Sequence, residues 1–214
     1  MQRVKLLPES FYLRSDVVQI ARELLGKILI TNFNSKITSG IIVETEAYQG
    51  ITDRASHAWN GRRTARTEIM YAQGGTAYIY LCYGIHSLFN VVTNQEGTPH
   101  AVLIRALEPL EGIDLMIKRR KMKLAEARIT SGPGSLSKAL GIHFSDTGEN
   151  LRGKKIWIED HGIKIPMEKI ISTKRVGVDY AGVDANLPYR FLIKGQKNIS
   201  RPRPADWKLN EDYF

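Results

Sequence analysis

The chain has 214 residues, of which 43% are hydrophobic and 25% charged, enough apolar material for the core of one globular domain. One cysteine, Cys82, excludes an internal disulfide and a cysteine-built zinc site, and no apolar run reaches membrane-spanning length. The 31 Lys and Arg against 22 Asp and Glu give a net charge of +9, which fits a polyanionic partner, most often nucleic acid, or plain solubility. Residues 1–11 lack the basic-then-apolar pattern of a secretory leader, so the expectation is an intracellular protein, with Cys82 as a buried packing thiol.

Read in chain order, Ser15 is the expected N-cap of a helix with Asp16 in its first turn. Val17, Ile20, Ala21, Leu24 and Leu25 follow at helical spacing, and Gly26 offers a left-handed stop. Strands are expected over 27–31 and 40–46, separated by the turn-rich Asn32-Phe33-Asn34-Ser35. Residues 53–66 read as a polar, basic loop. Gly74-Gly75 precedes a β-rich run over 76–83, Gly84 allows a reversal, and strands return over 88–93 and 101–107. A basic helix is expected over 114–128, broken by Ser131-Gly132-Pro133-Gly134, with a short helix over 135–140. Strands follow around 156–158, 175–178 and 190–193. With no repeat and no linker, this is one α+β domain over 1–214. It has a mostly antiparallel core over about 11–195, flanking helices, a protruding hairpin and a basic C-terminal tail.

Two segments carry chemistry. In Ile41-Ile42-Val43-Glu44-Thr45-Glu46-Ala47-Tyr48, strand alternation puts Ile42, Glu44 and Glu46 on one face. Desolvation raises a carboxylate's proton affinity and suits it to general-base work; the competing reading is an edge strand that carries charge for solubility. In Thr76-Ala77-Tyr78-Ile79-Tyr80-Leu81-Cys82-Tyr83-Gly84, Tyr78 and Tyr80 share a face while Tyr83 sits in the other register at the turn. That fits a pocket wall plus a projecting aromatic, or ordinary sheet aromatics.

Glu44-Thr45-Glu46-Ala47-Tyr48, residues 53–57, residues 78–84 and Arg105-Ala106-Leu107-Glu108-Pro109-Leu110-Glu111-Gly112 together resemble the alkyladenine (3-methyladenine, methylpurine) DNA glycosylase family. Ser131-Gly132-Pro133-Gly134 and Arg175-Val176-Gly177-Val178 extend the resemblance, which runs from about Phe11 to Ile193. It implies excision of alkylated or deaminated purines, of the 3-methyladenine, hypoxanthine and ethenoadenine class, from double-stranded DNA by a monomer with no cofactor and no metal. By the resemblance, Glu46 is the base that activates a water. Arg105 helps hold that water, and the Val176 carbonyl completes its site. Tyr48, His57 and Tyr80 enclose the flipped base, Asn90 crowds the exocyclic amine of guanine, and Tyr83 fills the gap in the duplex.

The physics is compatible with each role. A base must leave the stack to be reached, at a cost of a few kcal/mol, which an inserted side chain partly offsets. Aromatic walls favour flat, cationic purines. Arg62, Arg63 and Arg66 are expected at DNA phosphates, and residues 118–123 as a solvated helix face. Taken singly, His57 reads as a surface or capping histidine, Asn90 as a strand polar residue, and Arg105 as an ion-pair partner of Glu44 or Glu46. His86 at the hairpin and Trp59-Asn60 depart from the pattern of animal members. A non-enzymatic module for distorted duplexes and a small-nucleoside hydrolase are the rival functions.

Overall fold

The computed structural model describes residues 5–207. The chain opens with β1 (Lys5–Leu6), α1 (Glu9–Tyr12) and α2 (Val17–Glu23). Asp16, rather than Ser15, caps α2: its backbone is extended and its Oδ1 accepts the Gln19 N–H at 2.9 Å. Val17, Ile20, Ala21 and Leu24 bury the expected face. Gly26 then takes φ +83°, where an added Cβ would stand 3.0 Å from the Ile163 carbonyl.

Next come β2 (Ile28–Phe33) and the long β3 (Lys36–Tyr48). Asn34 and Ser35 join them with φ of +54° and +60°, the left-handed pair that a two-residue hairpin turn requires. β4 (Ala77–Cys82) and β5 (His86–Thr93) form the second hairpin, and β6 (His100–Glu111) returns beside it. α3 (Ile113–Arg120) and α4 (Pro133–Leu140) follow, then β7 (Ile156–Asp160), β8 (Ile170–Thr173) and β9 (Arg190–Ile193). The strand order is β1-β7-β2-β3-β6-β5-β4, with β9 added to β3 and β8 to β9, and every pairing is antiparallel. Helices α2, α3 and α4 share one core with the sheet, through Ile20, Leu29, Ile104, Leu107, Met116 and Leu136 among others. The architecture is α+β, as expected.

β3 is no edge strand. Residues 36–41 pair with β2, residues 44–46 with β9, and residues 39–48 with β6 on the other side. The β3–β6 register skips Val43 on one strand and Arg105 on the other, since Ile42 faces Leu107, Glu44 faces Ala106 and Thr45 faces Ile104. These bulges break the simple alternation. Ile42 and Ala47 join the main core, and Thr45 bonds the Ala21 carbonyl of α2 at 2.8 Å. Val43 packs elsewhere with Ala106, Leu192 and Ile199, so Ile42 does not share the face of Glu44 and Glu46.

Two other expectations fail. The basic helix ends at Arg120, where Lys121 turns left-handed at φ +53°, and residues 121–126 are not helical. Residues 175–178 form no strand; Gly177 takes φ +74°, and the Val176 N–H bonds a carboxylate instead of a neighbouring strand. Beyond β9 the chain packs back inward, with Asn198, Ile199 and Ser200 buried. Residues 208–214 of the expected basic tail lie outside the described residues.

Asp16→Ala should destabilise the protein by about 1 kcal/mol in denaturant titrations, whereas Ser15→Ala should leave stability within about 0.5 kcal/mol.

Candidate active site

The bulges on β3 and β6 set two carboxylates around one guanidinium in the sheet interior. Arg105 on β6 donates from Nε to Glu44 Oε1 at 2.9 Å and from Nη1 to Glu46 Oε2 at 3.2 Å. Both glutamates are fully buried and Arg105 nearly so. Isolated charges could not persist there, because burial of an unpaired ion costs several kcal/mol.

The two glutamates differ in what else holds them. Glu44 accepts Arg190 Nε at 2.7 Å, the Ser200 hydroxyl at 2.8 Å and the Ser200 N–H at 2.6 Å. Burial would raise its proton affinity, but Arg105, Arg190 and the Ser200 bonds override it and hold Glu44 below the ordinary carboxylate value. Apart from Arg105, the partners of Glu44 do not line the aromatic cavity. Glu46 instead accepts the Tyr48 hydroxyl on Oε2 at 2.8 Å and the Val176 N–H on Oε1 at 2.8 Å. Tyr48, Arg105 and Val176 all line an aromatic-walled cavity, so Glu46 lies directly behind its wall. Burial, then the Glu46 charge, push the Tyr48 phenol well above its ordinary value, so it remains a donor.

The loop that carries Val176 is clamped. Arg175 forms a bidentate pair with buried Asp53, through Nη1 to Oδ2 and through Nη2 to Oδ1 at 2.8 Å. It also reaches the Ala47 carbonyl at 2.9 Å and lies over the Tyr48 ring at 4.8 Å. Asp53 in turn accepts the N–H groups of Gln49 and Ala55. Arg175 and Asp53 stand within the strings that carry the family resemblance, which gives neither a role. They lie 122 residues apart, and no local pattern marks the pair.

The cavity holds about 230 Å³. Tyr48, His57, Tyr80 and Asn90 are all on its wall, joined by Tyr78 and Tyr180. The His57 ring meets Tyr80 edge-on at 4.7 Å. Its Nδ1 lies 2.8 Å from the Tyr78 hydroxyl and its Nε2 lies 3.3 Å from Arg66 Nη2. A guanidinium only donates, so Nε2 accepts and the proton sits on Nδ1. Burial, then the charges of Arg66 and Arg62, lower the His57 pKa to about 4, which leaves the ring neutral at physiological pH. Asn90 is fixed by two donations from Nδ2, to the carbonyls of Tyr78 and Leu88, both at 3.1 Å, and its Oδ1 remains as acceptor.

The β4–β5 hairpin ends in Tyr83-Gly84-Ile85. Tyr83 is 92% exposed and takes φ +50°, a left-handed conformation unusual for an aromatic residue. Cys82, expected to be buried, is half-buried on the cavity wall below this tip. Burial falls off along β4, whose last three residues are only part-buried as the hairpin leaves the core.

The basic loop divides three ways. Arg63 is tied to Glu68 through two bonds at 2.7 and 2.6 Å and lies over Tyr71. Arg66 stacks on Tyr80 at 4.7 Å, as part of the pocket rim. Arg62 is exposed and has no side-chain partner among the described residues. Trp59 is half exposed beside Asn60, which takes φ +56°, and exposed His86 stands against Gly134 at the head of α4. Of the expected solvated face over 118–123, Lys118, Lys121 and Lys123 are exposed, whereas Arg119 bonds the Ala139 carbonyl at 3.0 Å and Arg120 is part-buried. Among the described residues, no cluster of His, Cys, Asp or Glu is arranged to hold a metal, and no helix is long and apolar enough to cross a membrane.

Comparison with known proteins sets this pocket in its class: the protein is a DNA glycosylase, a hydrolase of N-glycosyl bonds that acts on DNA. A family model described as methylpurine-DNA glycosylase matches residues 10–197, and the chain belongs to that family. A relative from Chlamydia felis is 47% identical over 194 residues, covering 90% of this chain and 98% of its own. One from Clostridium acetobutylicum is 45% identical over 204 residues, covering 92% and 98%. One from Desulfitobacterium hafniense is 43% identical over 204 residues, covering 92% and 99%. Each bears the name "Putative 3-methyladenine DNA glycosylase".

Two measurements probe this geometry. The His57 ¹⁵N resonances should stay those of a neutral Nδ1–H ring down to about pH 5, titrating near 4. Because the folded value lies below the ordinary 6.5, the unfolded chain binds the proton first. The stability linked to neutral His57 is therefore complete above about 6.5 and lost as pH falls toward 4, a dependence that His57→Gln should remove. Asp53→Asn leaves Arg175 without its buried counter-charge and should cost about 3–5 kcal/mol in denaturant titrations.

Proposed function

We propose that this glycosylase excises alkylated or deaminated purines, of the 3-methyladenine, hypoxanthine and ethenoadenine class, from duplex DNA with a water activated by Glu46. The observation that carries the reading is the set of donors on Glu46. A carboxylate offers roughly four lone-pair positions. Tyr48, Arg105 and the Val176 N–H occupy one position each, and all three line the aromatic cavity. The position left on Oε1 is where a water would be deprotonated, with Arg105 and the Val176 carbonyl as its further partners.

Tyr83 projects from the hairpin as the side chain that enters the duplex and occupies the space of the extruded nucleotide. The base then lies among Tyr48, His57 and Tyr80, whose ring faces attract a cationic purine most strongly. Neutral His57, with its proton committed to Tyr78, adds no positive charge against such a base. Asn90, locked by its own hairpin, is placed to exclude the 2-amino group of guanine by steric clash. Arg62 is the free phosphate contact of the basic loop, while Arg63 is available only by giving up Glu68. The enzyme is monofunctional in this account: water attacks C1′, the purine leaves, and an abasic site remains. The protein acts as a monomer without a cofactor.

The wild-type enzyme should release free 3-methyladenine from a methylated duplex, and borohydride should trap no covalent adduct. Glu46→Gln should lower single-turnover release by at least about a thousandfold while retaining affinity for a lesion-bearing duplex. Wild-type rates in Glu46→Gln, or a trapped adduct, would exclude this mechanism. Release from free nucleosides at the duplex rate would favour a nucleoside hydrolase.

A further inference from the structure

The chain beyond β9 enters the site from behind. Ser200 is 4% exposed. Its hydroxyl donates to Glu44 Oε1 at 2.8 Å and accepts Arg105 Nη2 at 3.0 Å. Its N–H donates to Glu44 Oε2 at 2.6 Å, and its carbonyl accepts Arg190 Nη2 at 3.2 Å. The segment is fastened on both sides. Asn198 Nδ2 bonds the Ala127 carbonyl at 3.0 Å, Ser131 Oγ bonds the Ile199 carbonyl at 2.6 Å, and Ile199 is buried against Val43, Ala106 and Leu192. Ser200 lies past residue 197, where the family match ends.

We propose that Ser200 is a positioning residue for Arg105, so that the C-terminal strap belongs to the catalytic machinery. The proposal rests on the reading of Glu46 and Arg105 above. A guanidinium is planar, so two fixed nitrogens determine the third. Arg105 has three separate acceptors: Glu44 for Nε, Ser200 for Nη2 and Glu46 for Nη1. Glu44 and Ser200 fix the inner side of the plane, and the Nη1 that meets Glu46 at the cavity wall follows from them. The 3.2 Å bond to Glu46 is the longest of the three and the least able to orient the group alone. Glu44 keeps Arg190 and the Ser200 N–H when the hydroxyl is removed, but Arg105 Nη2 loses its sole partner among the described residues. Loss of the hydroxyl is thus felt by Arg105 more than by Glu44.

The test measures single-turnover base release, lesion-duplex affinity and thermal unfolding for full-length Ser200→Ala, Ser200→Cys, Ser200→Thr and Glu46→Gln on a methylated duplex. Ser200→Ala should release base about tenfold more slowly per folded molecule, the scale of one hydrogen bond to a charged group, with duplex affinity unchanged. Ser200→Thr, which keeps the hydroxyl, should restore the rate. If Ser200→Ala fails to fold, Ser200→Cys, nearly the same size but a weaker hydrogen-bonding group, should show the slow release in its place. Wild-type release per folded molecule by Ser200→Ala or, failing that, Ser200→Cys would overturn the proposal, as would slow release by Ser200→Thr. If Glu46→Gln retains full release, the Glu46 reading fails first; if Glu46→Gln is inactive and the serine variants are not slowed, only the role of Ser200 falls.

Discussion

The structure depends on a small buried ion cluster. Glu44, Glu46, Arg105 and Arg190 are all 5% exposed or less, and their formal charges cancel. Two carboxylates this close would not both stay ionised in a dry interior without the arginines, and the arginines could not be buried without the carboxylates. The bulged register of β3 and β6 is what makes room for the group, because it displaces Arg105 from the regular ladder and sets Glu44 and Glu46 on its two sides. A buried ion cluster of this kind contributes little net stability over well-packed apolar residues, and the proposed function gives it a use.

That use follows from an asymmetry between two chemically identical side chains. Glu44 is surrounded by Arg105, Arg190 and Ser200 and faces the strap behind the sheet. Glu46 is held by groups that are themselves the wall of the pocket. Arg105 touches both, and in the proposed mechanism it connects the rigid scaffold to the chemistry. A second ion pair, Asp53 with Arg175, ties the loop before the pocket to the loop that presents Val176. One hairpin, β4–β5, then carries Tyr78 and Tyr80 of the pocket wall and the projecting Tyr83, with Asn90 cross-bonded to its carbonyls. The proposed function assigns base extrusion, base recognition and hydrolysis to adjoining elements of one sheet.

Much of the fold was legible in the sequence because its signals are local. The α2 stripe, the Gly84 reversal and the β-rich runs each depend on a few neighbouring residues, and each appears near its expected place. What the sequence hid is non-local. Parity placed Ile42 beside Glu44 because nothing in that segment announces a bulge, which is decided by the partner strand. Residues 175–178 looked like a strand by composition, but the Val176 N–H is taken by Glu46, 130 residues away. Ser200 carried no signal at all, since its partners are Glu44 and Arg105. The pocket residues Tyr48, His57, Tyr80 and Asn90 do converge on one cavity, yet pattern alone left each with a bland alternative. The family resemblance, not the residue types, singled out Glu46 from Glu44, and the hydrogen bonds now supply a physical reason for the difference.

The central claim is that these two glutamates divide structure from chemistry. The most direct measurement is single-turnover base release by Glu44→Gln, per folded molecule, alongside its unfolding free energy. The account predicts a protein destabilised by about 3–5 kcal/mol that still releases base within about tenfold of the wild-type rate. A Glu44→Gln protein as stable as wild type that releases no base would contradict it.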